Sequence, residues 1–128
     1  MAGKSDYLEN AILNHVLKNT AYTSPTTVYV GLFTAAPSDS GGGTEVSGNN
    51  YARTAVTFAS ASGGATSNSA LVTMPVPSGS WGLCTHFGIF DASSAGNLLY
   101  WGSLTVSQTP TTGNAVTFPI GDIDITED

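Results

Sequence analysis

From Thr27 onward, short runs of β-branched and aromatic residues alternate with clusters of Gly, Ser, Thr, Asn and Pro, and this punctuation restricts the fold more than any other feature. The runs are Thr27–Thr34, Tyr51–Phe58, Ala70–Val76, His86–Asp91, Leu98–Val106 and Ala115–Ile125. Residues of this kind fit a pleated, half-buried surface, so each run predicts a strand. In Tyr51–Phe58 the alternation puts Tyr51, Arg53, Ala55 and Thr57 on one face and Ala52, Thr54, Val56 and Phe58 on the other. It blurs at Leu98–Trp101, which predicts burial on both sides. Turn chemistry fills the intervals, with Ala95-Gly96-Asn97 and Thr112-Gly113-Asn114 marking tight reversals. Strands this short and this regularly interrupted predict a mainly β chain, an antiparallel β-sandwich or barrel-like domain rather than alternating βαβ units.

Helical periodicity occurs only at the front. Leu8, Ala11, Ile12, His15 and Val16 recur at helical spacing, and Leu13 and Leu17 widen the stripe. The pattern predicts one amphipathic α-helix over residues 6–18. Asp6 is the expected N-cap with Glu9 three residues on, and Lys18 and Asn19 close the helix with a charge and a conformation suited to its carboxyl end. The chain divides into an N-terminal helical segment, 1–22, and a single β domain, 23–128. No internal repeat is present.

The surface chemistry of such a domain follows from an unusual charge count. Only 9% of residues are charged, three are Lys or Arg against nine Asp or Glu, and no cation follows Arg53. Ordinary soluble domains carry about 25% charged residues, and interspersed charge opposes association. Here 17 Thr, 15 Ser and 15 Gly must solvate the exterior instead. A neutral, hydroxyl-rich exterior predicts a component of an assembly, covered by its neighbours. The net charge of -6 excludes phosphate neutralisation, so nucleic acid is not an expected partner. Nor is a membrane: anionic surfaces are disfavoured, and no apolar run approaches the roughly 20 residues of a span. The polar start Met-Ala-Gly-Lys-Ser-Asp predicts no cleaved export signal and synthesis in the cytosol.

Candidate chemistry is sparse. Cys84, the one cysteine, lies among apolar residues without a neighbouring cation and reads as a small buried hydrophobe. His15 and His86 lack partners at metal-ligand spacing. Gly79-Ser80-Trp81-Gly82 misses the spacing of a nucleophile elbow, and Ser40-Gly41-Gly42-Gly43-Thr44 lacks the lysine of a phosphate-binding loop. Asp122 and Asp124 share one face of a strand but abut an acidic tail. No enzyme activity, metal or cofactor is therefore expected. A hydrolase would require Asp91, Asp122 and Asp124 to converge on a concave site, and a glycan-binding module would expose Trp and Tyr along a groove.

Several phrases resemble a known family. Ser5-Asp6-Tyr7-Leu8-Glu9-Asn10, Leu13-Asn14-His15, Asn19-Thr20-Ala21-Tyr22, Val28–Thr34, Gly42–Val46 and Tyr51-Ala52-Arg53 are together similar to short virion proteins of tailed bacteriophages, commonly labelled tail-fibre-like, some of which resemble capsid decoration (cement) proteins. The likeness covers roughly the first 58 residues and continues more loosely through Trp81-Gly82, Phe87–Asp91 and Gly96–Leu99. It implies a structural role in the virion, reached after assembly in the host cytoplasm, with phage structural proteins as partners. Absence of shaft repeats and of a heptad run favours a cement protein that stabilises the assembled shell by contact with the major capsid protein. The alternative is a tail fibre, baseplate or tail accessory protein, with receptor or glycan binding. A homo-oligomer is implied, most simply a trimer at a threefold lattice position. The expected interface residues are Leu8, Ile12 and Val16 on the helix, Arg53 as the one cation beyond residue 18, and Trp81 in its turn, where core packing is an equal reading. Trp101, inside its apolar run, reads as core.

Overall fold

The computed structural model describes residues 2–127. In chain order its elements are β1 (Ala2–Lys4), α1 (Asp6–Leu17), β2 (Val28–Ala35), β3 (Thr44–Glu45), β4 (Thr54–Val56), β5 (Ala65–Ser67), β6 (Val72–Thr73), β7 (Cys84–Phe90), β8 (Leu98–Gln108), β9 (Thr117–Phe118) and β10 (Asp124–Thr126). The protein is mainly β, with antiparallel pairing and one helix near the N-terminus.

β2 and β7 lie in the interior of the main sheet, and most of their residues are buried. β2 and β7 pair from Tyr29↔Phe90 to Phe33↔His86, and β8 flanks β7 on the other side. The sheet order is β1-β8-β7-β2-β3, with β4 pairing the first half of β2 along the edge that β3 pairs further on. Two two-stranded ladders, β5 with β10 and β6 with β9, complete the architecture. Val30, Leu32, Phe87 and Ile89 from the sheet and Val72, Met74, Phe118, Ile123 and Ile125 from or beside the ladders form one buried cluster, so the ladders cover one face of the sheet. Cys84 joins this cluster with no exposed surface, and burial raises its thiol pKa, in keeping with its reading as a small hydrophobe.

Asn68 ties the ladders together. It is 1% exposed, its amide nitrogen donates to the carbonyls of Ala70 and Pro119 at 3.0 and 2.9 Å, and its oxygen accepts from the Ile123 amide at 2.8 Å. One side chain thus satisfies backbone groups of three segments that no ladder reaches, which is what burial of a polar group requires.

Differences from the sequence expectation have local causes. Ser5, not Asp6, caps α1, accepting from the Leu8 amide at 3.2 Å, and Asp6 and Glu9 occupy the first turn. Ser5 can do this because its own amide bonds to Leu99 and fixes it in extended geometry. The helix closes as expected, with Lys18 as C-cap and Asn19 in the left-handed region at φ 55°. Tyr51–Phe58 yields the short strand β4 and, at Phe58, an isolated bridge to Asn68. The run Ala115–Ile125 is cut by a turn at Pro119, where the Asp122 amide donates to the Pro119 carbonyl, leaving β9 and β10 in separate ladders. At Leu98–Trp101 only Leu99 is buried, and its neighbours are half-buried. Ala2–Lys4, read as part of a helical segment, instead enters the main sheet beside Tyr100–Gly102, so the chain's first residues belong to the β body.

Candidate functional site

Arg53 makes four hydrogen bonds and one ring contact. Its Nε and Nη2 donate to the two carboxylate oxygens of Glu45 at 2.9 and 2.8 Å, a bidentate pair, and Nη1 donates to the Ala92 and Ala95 carbonyls at 3.1 and 2.7 Å. The guanidinium lies 3.4 Å from the centre of the Phe90 ring, which in turn stacks on Phe33. Glu45 also accepts from the Tyr51 hydroxyl at 2.6 Å, and that hydroxyl accepts from the Leu32 amide at 3.0 Å. Burial, then the hydrogen bond to Glu45, push the Tyr51 phenol far above its ordinary pKa, so it remains a donor. Gly31 makes the arrangement possible: a Cβ there would lie 2.8 Å from the Tyr51 hydroxyl and 2.9 Å from Glu45. The group fastens the loops after β3 and β7 to the sheet. Every charge in it is matched, so it offers no free acid, base or nucleophile.

Trp81 is equally committed. It is buried in the core, its indole nitrogen donates to the Asn49 carbonyl at 2.8 Å, and Tyr51 meets its ring edge-on at 5.2 Å. Trp101 lies on the opposite face of the sheet, half-buried over Gly3 and donating to Asp39 at 3.0 Å. Beside it a cleft of about 570 Å³ runs between Tyr7, Asp39, the Gly41–Gly43 backbone and Asn97, with Phe33 and Phe90 at its base. Both phenylalanines are buried, so the cleft presents little ring surface for stacking.

The carboxylates that a hydrolase would require sit on different elements of the fold. Asp91 is spent on its own loop, accepting from the Asn97 amide at 2.7 Å and the Asn97 side chain at 2.9 Å, whereas Asp124 belongs to the β5–β10 ladder. Among the described residues, no three His, Cys, Asp or Glu side chains are placed to hold a metal ion together.

What the molecule does present is an unsatisfied helix. Of the expected interface residues on α1, Leu8 is buried against the chain's own β8 side and Ile12 is half-buried, while Val16 is 68% exposed. Leu13 and Leu17, noted in sequence only as widening the stripe, are 54% and 77% exposed. Only the first half of the helix is seated, through buried Leu8 and half-buried Ala11 and Ile12. Its far end carries three large apolar side chains into solvent, and isolated helices of this length are marginal without tertiary packing.

A second apolar surface lies on the core side. Val28, Phe58, Ala61, Ile89, Leu99 and Ile125 surround a cavity of about 270 Å³, rimmed by Tyr100 and Glu127. Glu127 accepts from Lys4 at 2.6 Å and from the Tyr100 hydroxyl at 2.5 Å. Partial burial opposes its ionisation, but the Lys4 and Tyr100 hydrogen bonds outweigh that and hold its pKa below the usual value of 4.5.

Comparison with known proteins places the chain more narrowly. A family model described as "Podophage GP4 fiber I protein gp80" matches residues 3–126, nearly the whole length. No curated protein matches significantly.

Proposed function

Since the chain belongs to the podophage fibre I protein family, a family of short-tailed phage virion proteins, we propose that it is a structural subunit of the tail-fibre apparatus and acts by assembly with other virion chains. The observation that carries this reading is the exposed end of α1, because soluble monomers seldom leave three neighbouring large apolar side chains in water without a partner. The 9% charge content supports it: a surface of hydroxyls and backbone can be buried against a neighbour without the desolvation cost of ions. The internally matched Arg53–Glu45 group supports a scaffolding rather than a catalytic role.

Between the two virion locations, the family description speaks for fibre. Nothing in the fold speaks for the shell, and the cement reading rested on missing repeats, which a short fibre module assembled from several chains does not need. Quantitative mass spectrometry of purified particles tests the assignment. A copy number of a few dozen or fewer, with labelling at the tail, supports a fibre subunit; hundreds of copies spread over the shell would overturn it.

A further inference from the structure

The two histidines are bonded in ways that respond differently to a proton. His86 lies between the hydroxyls of Thr85 and Ser103, 2.8 and 3.3 Å from its Nδ1 and Nε2, and a hydroxyl can donate or accept, so either charge state is served. His15 has no such latitude. Its Nδ1 accepts from the Tyr22 amide at 3.2 Å, and a backbone N–H can only donate. The bond therefore exists only while Nδ1 is unprotonated and the ring proton sits on Nε2. In an imidazolium, one N–H would face another.

This bond matters because of where it falls. Residues 18–27 join α1 to β2. Thr20 closes the helix by donating to the Asn14 carbonyl at 3.0 Å, and beyond it, among the described residues, the bond to His15 is the only hydrogen bond made by residues 21–26. Tyr22 is half-buried, and burial, then the neighbouring Tyr7 and Asp91, raise its phenol pKa, so its ring stays neutral throughout the range in which histidine titrates. The titratable and charged groups around the contact are Lys18 on α1, Tyr22 on the connection, and Tyr7, Asp91 and Tyr100 about the Tyr22 ring. Among the described residues His15 forms no ion pair with any of them. The Lys18 ammonium opposes a second cation, whereas the carboxyl end of the helix, in whose last turn His15 lies, favours one. Neither offers the Tyr22 amide a replacement acceptor.

We propose that His15 is a proton-controlled latch on the connection between α1 and β2: the neutral ring holds the Tyr22 amide, and protonation releases it. Histidine in ordinary surroundings changes charge between about pH 5 and 8, so the latch is closed in neutral to alkaline solution and open in mild acid. Once open, residues 21–26 have no hydrogen bond left to fix their path, and the exposed end of α1 loses a restraint on the side where the chain leaves it. The latch is independent of the fibre-subunit reading and is tested on the isolated protein.

Nuclear magnetic resonance of the nitrogen-15-labelled protein, titrated from about pH 8 to about pH 5 to span the histidine range, reads each part of the latch. At the alkaline end the His15 ring should show an unprotonated Nδ1 and a protonated Nε2. As the pH falls, the Tyr22 amide resonance should shift with the same midpoint as the His15 ring, and the heteronuclear NOEs of residues 21–26 should drop while those of β2 and β7 stay constant. His15→Ala, at an exposed position, should fold with the parent's circular dichroism and show low NOEs over residues 21–26 at every pH. A proton on Nδ1 at the alkaline end would overturn the proposal. So would a Tyr22 amide that stays fixed while His15 titrates, or a pH-dependent drop in the NOEs that persists in His15→Ala.

Discussion

Replacing Arg53 with Met keeps the aliphatic stem and removes the guanidinium, and four hydrogen bonds and one ring contact go with it. The side chains of Arg53 and Glu45 are 10% and 24% exposed, so the pair is closer to the buried than to the surface limit. Surface pairs contribute about 0–1 kcal/mol, whereas removing one member of a buried pair costs roughly 3–5 kcal/mol because the other is left uncompensated. Glu45 would keep only the Tyr51 hydroxyl as donor, and the Ala92 and Ala95 carbonyls would lose their partner. A loss of about 2–4 kcal/mol is expected, a melting-point drop on the order of 10 °C. Urea denaturation of Arg53→Met, Glu45→Gln and the double variant at neutral pH measures it. The two single losses should exceed the double by at least about 1 kcal/mol per cycle, the signature of coupled sites. Arg53→Lys should fall between, since an ammonium cannot make the bidentate fork. A loss below about 1 kcal/mol, or one abolished by high salt as for exposed pairs, would refute the argument.

Three further outcomes follow from the same structure. Asn68→Ala removes a buried donor and acceptor and strands the Ile123 amide, which should cost about 2–4 kcal/mol in denaturant unfolding and loosen both ladders in hydrogen exchange. Gly88→Ala places a Cβ 2.9 Å from both Leu98 and Phe33 at the centre of the sheet, and overpacking there should destabilise by about 1–3 kcal/mol in the same assay. Glu127→Gln should lower stability at neutral pH. Because the folded pKa of Glu127 lies below its ordinary value of 4.5, its contribution is complete above that value and disappears as pH falls through the lower, folded one, so thermal melts of parent and variant should converge in acid.

Much of this protein is legible in residue order, because short-range chemistry decides it. Runs of β-branched and aromatic residues at Thr27–Thr34 and His86–Asp91 were readable as strands, though not their place in the sheet, and the helical stripe from Leu8 to Leu17 was readable as α1 with Asn19 at its end. The scarcity of charge, and with it an exterior suited to burial by neighbours, is likewise a property of composition. Partnership was not legible, since it depends on residues far apart in the chain. Nothing near Arg53 marks Glu45 or the Ala92 carbonyl as its partners, and Trp81 in a glycine-rich turn gives no sign that Tyr51 and Asn49 enclose it. Nor does a stripe of apolar residues say which of them its own domain will cover. Tertiary structure decides that by seating the front of α1 through Ser5, Leu8 and half-buried Ile12 while Leu13, Val16 and Leu17 stay exposed.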